Sequence, residues 1–462
     1  MTNKVGERLA HLRTGKLRCR SRGARLLLLG GHVPVHDQPR SGWSEQHSSH
    51  QYRERRPVCY VCCLVSGSIN NILGPRLTLS IGATGYALQV GSYLAYKERN
   101  ETSPFVIVAG AYLGFTAAML WSAQGAIMMA YPMEKDKGRS FSLFWVIFSM
   151  GGVVGACIAL GIEARSTHAT VSTPVFVAFI IVMCCGIGIA WLILPPNLVV
   201  RGDKTVVEIQ ASISVRQEIR HFIALFKDWR MLFLFPMFFT SNYYYAYQGS
   251  IIAFMFNART RALASLITQV GAMTGATLIG TILDRAPGTR RTRALVAWTL
   301  TLILELGVWS GAVAWQVQFK RTEPHLNMDW SNGRAPGPLL LLLGLTIVDA
   351  CFQGLAYYIM SSMTNDSFRL ARLSGFYKSI QSAGAAVSYG MEAVATPYLT
   401  ELIVSWMLIL FSLPMSLPVI LRIKDSNYIE EQPVRVEDIN SVKLDDAPAE
   451  PAAVPMLADD VK

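Results

Sequence analysis

Acids and amides set inside long apolar runs are the residues whose types and spacing could do chemistry. In the run 338–363, Asp349 and Gln353 are four apart, which places them on one face of a helix. In the run 231–256, the stretch 241–248 reads Ser-Asn-Tyr-Tyr-Tyr-Ala-Tyr-Gln. A helix there pairs Asn242 with Tyr245 and Tyr244 with Gln248. Glu305 and Glu392 stand as lone acids deep in two further runs, and Trp121 and Gln124 project near one another in the run 105–131. Such side chains are costly in a bilayer and face a cavity or a partner helix. An acid so placed can carry a coupling proton, while Tyr, Asn and Gln bind a small solute. The competing use is hydrogen bonding between helices, about 0.6–2 kcal/mol per contact. Asn242, Tyr245, Gln248, Asp349 and Gln353 are expected to face one central cavity, with Gln124 as a further candidate.

The elements that must position these residues are membrane spans. The chain has 462 residues, 52% of them hydrophobic and 16% charged, with a mean hydropathy of +0.33. Soluble proteins carry about 25% charged residues, so the composition describes an integral membrane protein. Ten runs between residues 77 and 421 approach or exceed the roughly 20 residues that a spanning helix needs. The loops between them are short, apart from residues 195–230, where an amphipathic helix is expected around 215–226. The net charge of +11 lies mainly in loops and termini. No folded soluble segment interleaves basic residues with aromatics, so nucleic acid is not an expected partner. Cys59-Tyr-Val-Cys62 has redox or metal spacing but no second pair and no nearby His cluster. No His-Glu-x-x-His, Gly-x-Ser-x-Gly or phosphate loop is present. Neither an enzyme nor a metal or other cofactor is expected.

Residues 280–293 read Gly-Thr-Ile-Leu-Asp-Arg-Ala-Pro-Gly-Thr-Arg-Arg-Thr-Arg. Four arginines beside a span mark the cytoplasmic side. A tally of Lys and Arg over alternate loops places this loop, residues 195–230 and the C-terminal tail together in the cytoplasm. The order Gly-x-x-x-Asp-Arg…Gly…Arg-Arg resembles the loop between the second and third helices of each half of the major facilitator superfamily. The resemblance implies that Gly280 lets two helices approach closely and that Asp284 sits against a neighbouring helix N-terminus, where the dipole stabilises an anion. It further implies that the arginines, Arg285, Arg290 and Arg291 among them, hold a gate through ion pairs. Pro287 and Thr289 stretch the turn beyond the family form.

The chain also repeats itself. Residues 139–151 and 372–384 share Arg, an aromatic, Ile, Ser and Gly in the same register, and residues 70–76 echo 284–290. Two halves so related form a parallel repeat. The expected fold is therefore an all-α polytopic membrane protein of the major facilitator type, with two pseudo-repeated bundles, about ten complete spans and a partial one. The expected divisions are a disordered basic segment at 1–56, an incomplete bundle at 57–195, a cytoplasmic linker at 196–230, a six-helix bundle at 231–422 and a disordered acidic tail at 423–462. Residues 1 to about 60 are expected not to be the native start. The first half lacks helices that the second half has, and the segment's positive charge conflicts with an outside location.

Residues 121–132, 137–148, 241–248, 257–263, 364–366 and 375–384 together are similar to fungal members of the uncoordinated-ninety-three-like family. That resemblance implies a twelve-helix facilitator fold without supplying a substrate. It leaves two functions open: a secondary transporter of a small solute working by alternating access, or a non-transporting regulator or trafficking partner of another membrane protein. The expected partners are the lipid bilayer together with a small solute and a coupling proton, or another membrane protein.

Overall fold

Two turns at corresponding places of the two halves carry the repeat into geometry. Gly74 and Gly288 occupy the same position of the echoed segments 70–76 and 284–290, and both have positive φ, +77° and +104°. Only a residue without Cβ adopts that backbone readily, so each half reverses direction at a glycine.

The computed structural model describes residues 56–99, 103–163, 173–194, 196, 199–207 and 214–431. The basic segment expected at 1–56 lies, but for Arg56, outside the described residues, as does the tail from 432. The helices are α1 (Arg56–Leu73), α2 (Pro75–Arg99), α3 (Ser103–Ala130), α4 (Lys137–Glu163), α5 (Thr173–Ile189), α6 (Val215–Leu225), α7 (Trp229–Thr240), α8 (Tyr245–Met255), α9 (Ala258–Arg285), α10 (Arg290–Gln316), α11 (Pro336–Ser362), α12 (Ser367–Ala393) and α13 (Tyr398–Ile420). Among the described residues, six of the helical stretches are long and apolar enough to cross a membrane, those of α3, α4, α9, α10, α11 and α13. Helices α2 and α12 are as long, but they carry charges such as Lys97 and Glu98, or Arg372 and Lys378.

Helix starts follow side-chain chemistry. Asp228, Asn257, Thr289 and Asp366 each accept a backbone N–H of the following turn, at 3.0, 3.0, 3.2 and 3.0 Å. Ser214 and Gln217 form a reciprocal capping box on α6, the amphipathic helix of the long loop.

The run 231–256, expected as one span, is broken. Residues 241–244 form a turn between α7 and α8. Pro236 removes a backbone donor inside α7. The hydroxyls of Thr240 and Ser241 then donate to the Met237 carbonyl at 3.3 and 2.9 Å, competing with the helical ladder. Helix α12 braces the break. A Cβ added at Gly384 would lie 1.8 Å from the Phe239 carbonyl oxygen, so the two backbones touch there.

The two bundles meet along two seams, α1 and α3 against α12, and α4 against α9. In the second seam, glycine faces glycine. A Cβ at Gly280 would lie 2.6 Å from the Gly138 carbonyl oxygen, and one at Gly138 would lie 2.8 Å from that of Gly280. We expect Gly280→Ala to force α4 and α9 apart and to cost roughly 1–3 kcal/mol, the usual range for overpacking. Thermal unfolding of the purified protein in detergent would show a lowered midpoint. An unchanged midpoint would mean that the seam yields without cost.

Candidate functional site

Asp349 on α11 is the hub of the central polar network. The Tyr245 hydroxyl, on the first residue of α8, donates to its Oδ2 at 2.8 Å. Gln353, one turn along α11, donates to the same carboxylate at 3.0 Å. From there the network runs onto α12. Gln381 Nε2 lies 3.4 Å from Gln353 Oε1 and 3.1 Å from the Tyr377 hydroxyl, which donates to Ser241 at 3.1 Å. Lys378 closes the group. Its ammonium is buried, donates to Gln381 Oε1 at 2.8 Å, and sits over the rings of Trp121, Tyr377 and Tyr357 at 5.0, 5.0 and 5.5 Å. Trp121 belongs to α3, so both bundles contribute to this cage. The indole N–H of Trp121 in turn donates to Tyr86 on α2 at 3.1 Å.

A small void of about 10 Å³, room for one water, adjoins Asp349 inside the second bundle and not between the bundles. Thr240, Ser241, Tyr244, Glu305, Trp309, Leu345, Phe352 and Ile409 line it with the acid. The break between α7 and α8 matters here. It turns the consecutive Tyr244 and Tyr245, which a continuous helix would splay about 100° apart, onto the surroundings of one carboxylate. Their ring centroids are 4.8 Å apart. Among the described residues the Tyr244 hydroxyl and Glu305 Oε2 make no hydrogen bond of ordinary geometry, although the first faces Asp349 and the second Trp309.

Of the residues singled out from sequence, Tyr245, Asp349 and Gln353 are brought together. Asn242 lies in the turn with its Oδ1 buried and unbonded. Gln124 reaches only Met128 Sδ at 3.5 Å, and its Oε1 is likewise unbonded. Gln248 is half-buried on α8, and no hydrogen bond joins its side chain to the Asp349 network among the described residues. Glu305 is buried beside the void, whereas Glu392 is not a lone acid. It sits at the end of α12, paired with Arg321, which also lies 3.3 Å from Glu401. Lys378, Tyr377 and Gln381 join the site without having been expected from the sequence. They lie within the repeated stretch 375–384, and a lysine inside an apolar run was the available signal.

The arginine-rich end of the molecule holds the hydrogen bonds that cross between the two bundles among the described residues. Asp284 accepts the backbone N–H of Gly138 at 2.9 Å and of Arg139 at 2.5 Å, thus sitting on the N-terminus of α4. The Arg293 guanidinium donates to the Asp284 carbonyl at 2.6 Å. Arg290 is buried 3.5 Å from Glu134, while Arg285 and Arg291 are exposed. Lys137, also buried, donates to the Ser361 carbonyl and to Asn365 Oδ1, the latter at 3.0 Å.

A strap follows α13 across this end. The tail was expected to be loose from 423, yet residues 426–431 pack. Glu134 accepts from Asn365 Nδ2, the Asn427 backbone and the Ser426 hydroxyl at 2.6, 2.9 and 2.9 Å. Glu431 accepts from the Thr364 hydroxyl at 2.6 Å, and the Tyr428 hydroxyl donates to Asp203 of the long loop at 3.1 Å. Burial pushes the Asp203 carboxyl up, but hydrogen bonds from Thr205 and Tyr428 outweigh it and hold the group below its ordinary value.

The α1–α12 seam is built differently. Asn70 stands where the second half has Asp284, and no acid precedes Gly74. The carboxylate comes instead from α6. Glu218, buried, takes the Arg372 guanidinium of α12 at 2.8 Å and the Asn71 amide of α1 at 2.8 Å. Asn71 donates further to the Phe368 carbonyl at 3.1 Å.

Two helical bundles meeting along such seams, with polar residues gathered where they meet, have the architecture of the major facilitator fold. The proton:xylose symporter XylE, at TM-score 0.52 and 14% identity, is matched over 83% of this chain and 86% of that one. The E. coli fucose:proton symporter FucP gives 0.51 and 11%, over 79% and 88%. At these identities the likeness is one of fold. Residues 57–415 match the family described as ion channel regulatory protein UNC-93, and the chain belongs to that family. It is 37% identical over 361 residues to an UNC93-like protein of Schizosaccharomyces pombe, covering 77% of this chain and 71% of that protein. UNC93-like protein 1 of Arabidopsis thaliana is 35% identical over 357 residues, covering 76% and 78%.

We expect Glu218→Gln to leave buried Arg372 with only its 4.0 Å contact to Asp366 and to destabilise the protein by up to roughly 3–5 kcal/mol. Replacing both residues with Met should recover at least half of that loss in a thermal unfolding assay. A double variant as unstable as the single one would show that the pair is not what matters.

Proposed function

We propose that this chain is a secondary transporter working by alternating access, with Asp349 as the residue that couples solute binding to a proton. The observation that carries the reading is the buried polar network of Asp349, Gln353, Gln381 and Lys378, which meets Trp121 of the other bundle. An acid, two amides and an ammonium gathered where the bundles meet can bind a polar solute and exchange a proton. Tyr245 and Gln353 hold the Asp349 carboxylate by donating to it. Protonation of Asp349 removes the charge these donors stabilise and loosens α8 from α11. Asn242, Gln248 and Gln124, each beside this centre in sequence, are the further solute contacts of the proposal. Gly280, Asp284, Arg285, Arg290 and Arg291 form its gate. The excess of Lys and Arg at the Asp284 end supports a cytoplasmic position for that end, the long loop and the C-terminal tail. Two solved structures of similar fold are described as proton symporters, which agrees with a proton as the coupling ion.

The description of the family as ion channel regulatory proteins favours a second reading, in which the same fold binds another membrane protein and moves no solute.

Proteoliposomes holding a pH-sensitive dye separate the two. When a panel of small solutes is screened, transport predicts that at least one drives a change of internal pH. With that solute, Asp349→Asn is expected to reduce the signal at least tenfold while the protein keeps its melting temperature within a few degrees. No responsive solute in a broad panel, combined with stoichiometric co-purification of another membrane protein, would favour the second reading.

A further inference from the structure

Helix α6 has two faces with different jobs. One is buried: Glu218, Phe222 and Leu225 point at the bundle, with Glu218 on Arg372 and Phe222 edge-on to Phe226, which in turn meets Phe376 of α12. Beside that face runs an apolar stripe that the protein covers only in part, its last residue, Phe226, resting against Phe376. Val215, Ile219, Ile223 and Phe226 are 55, 53, 54 and 48% exposed. At 100° per residue these four fall within an arc of about 80°. Arg216, Lys227 and Arg220 are all exposed and occupy the next 40° or so of the helix surface, flanking the stripe on its far side. Four residues after α6 ends, Trp229 opens α7, with the Arg422 guanidinium 4.5 Å over its ring. Tryptophan beside basic residues at the mouth of a membrane helix is the usual mark of the headgroup level.

We propose that α6 is a peripheral membrane helix. Its Val215–Ile219–Ile223–Phe226 stripe rests in the headgroup–acyl boundary of the leaflet at the arginine-rich end, and Arg216, Arg220 and Lys227 meet anionic headgroups. Three observations fix the occupant as lipid. The stripe is apolar with a basic margin on one side, the combination that binds anionic bilayers. The helix is anchored to α1 through Asn71 and to α12 through Arg372, two helices of the bundles themselves. The chain passes from it directly into α7 through an interfacial tryptophan. Because Glu218 joins α6 to both Asn71 and Arg372, a leaflet that holds the helix also holds the α1–α12 seam. Lipid composition thereby acts on the contact between the bundles. This inference does not depend on whether the chain transports a solute.

The test uses the full chain in lipid nanodiscs, with a genetically encoded environment-sensitive fluorophore at position 223 or, in a separate protein, at position 217. Lipids carrying a doxyl quencher near the headgroup report depth. In discs of phosphatidylcholine with about 30% phosphatidylserine, quenching at 223 should exceed that at 217 at least threefold. It should fall by half or more in pure phosphatidylcholine, or when Arg216→Glu and Arg220→Glu are introduced together. Amide exchange of residues 215–226 on the unlabelled protein, slower in anionic than in neutral discs, should agree without any substitution. Equal quenching at the two positions, or quenching and exchange that do not respond to anionic lipid, would overturn the proposal. In the first case the stripe belongs to a protein partner or to water.

Discussion

The contact on which the rest of this structure depends is a carboxylate on a helix end. Asp284 takes the first backbone N–H groups of α4, from Gly138 and Arg139, so that one bundle caps a helix of the other. The interaction is modest by nature, about 0.3–2 kcal/mol for a charge at a helix terminus. Its reach comes from what surrounds it. Gly138 and Gly280 bring the two backbones into contact, and any side chain there would move the acid off its donors. Around it, Lys137, Glu134, Asn365 and the strap at 426–431 add bonds that all depend on the same approach. A weak bond repeated across a close seam can hold two bodies together and still let them part.

The pseudo-symmetric seam reaches the same end by another route. The segment before Gly74 offers amides, not an acid, and the loop helix α6 brings Glu218 in from outside the repeat. The long loop is therefore part of the contact between the bundles and not only a tether. That the two seams differ chemically allows them to respond to different things, one to the ends of α4 and α9, the other to whatever holds α6.

Much of the fold was legible in the sequence because its causes are local. Apolar runs of spanning length, capping residues such as Asp228 and Asn257, and a glycine at the same place in two echoed turns all act within a few residues. The amphipathic helix in the long loop is of the same kind. Asp349, Gln353 and Tyr245 were legible because an acid and its helical neighbours mark a polar face. The rest depends on distance in space. The break at 241–244 follows from Pro236, two back-bonding hydroxyls and the support of Gly384, none decisive alone. Glu392 read as a lone acid because Arg321, its partner, lies 71 positions away in a loop. Lys378 read as part of a repeat because its cage is assembled from three helices.

The proposed transport cycle requires the two bundles to part and rejoin at the Asp284 end. Spin labels at Lys135→Cys and Arg291→Cys, exposed sites on either side of that seam, would measure it by pulsed dipolar spectroscopy in a background free of native cysteines. Two distance populations are predicted in the parent, with Asp284→Asn raising the longer one several-fold, as the loss of a helix-end contact in a balanced equilibrium requires. A single narrow distance, the same with and without the acid, would contradict it.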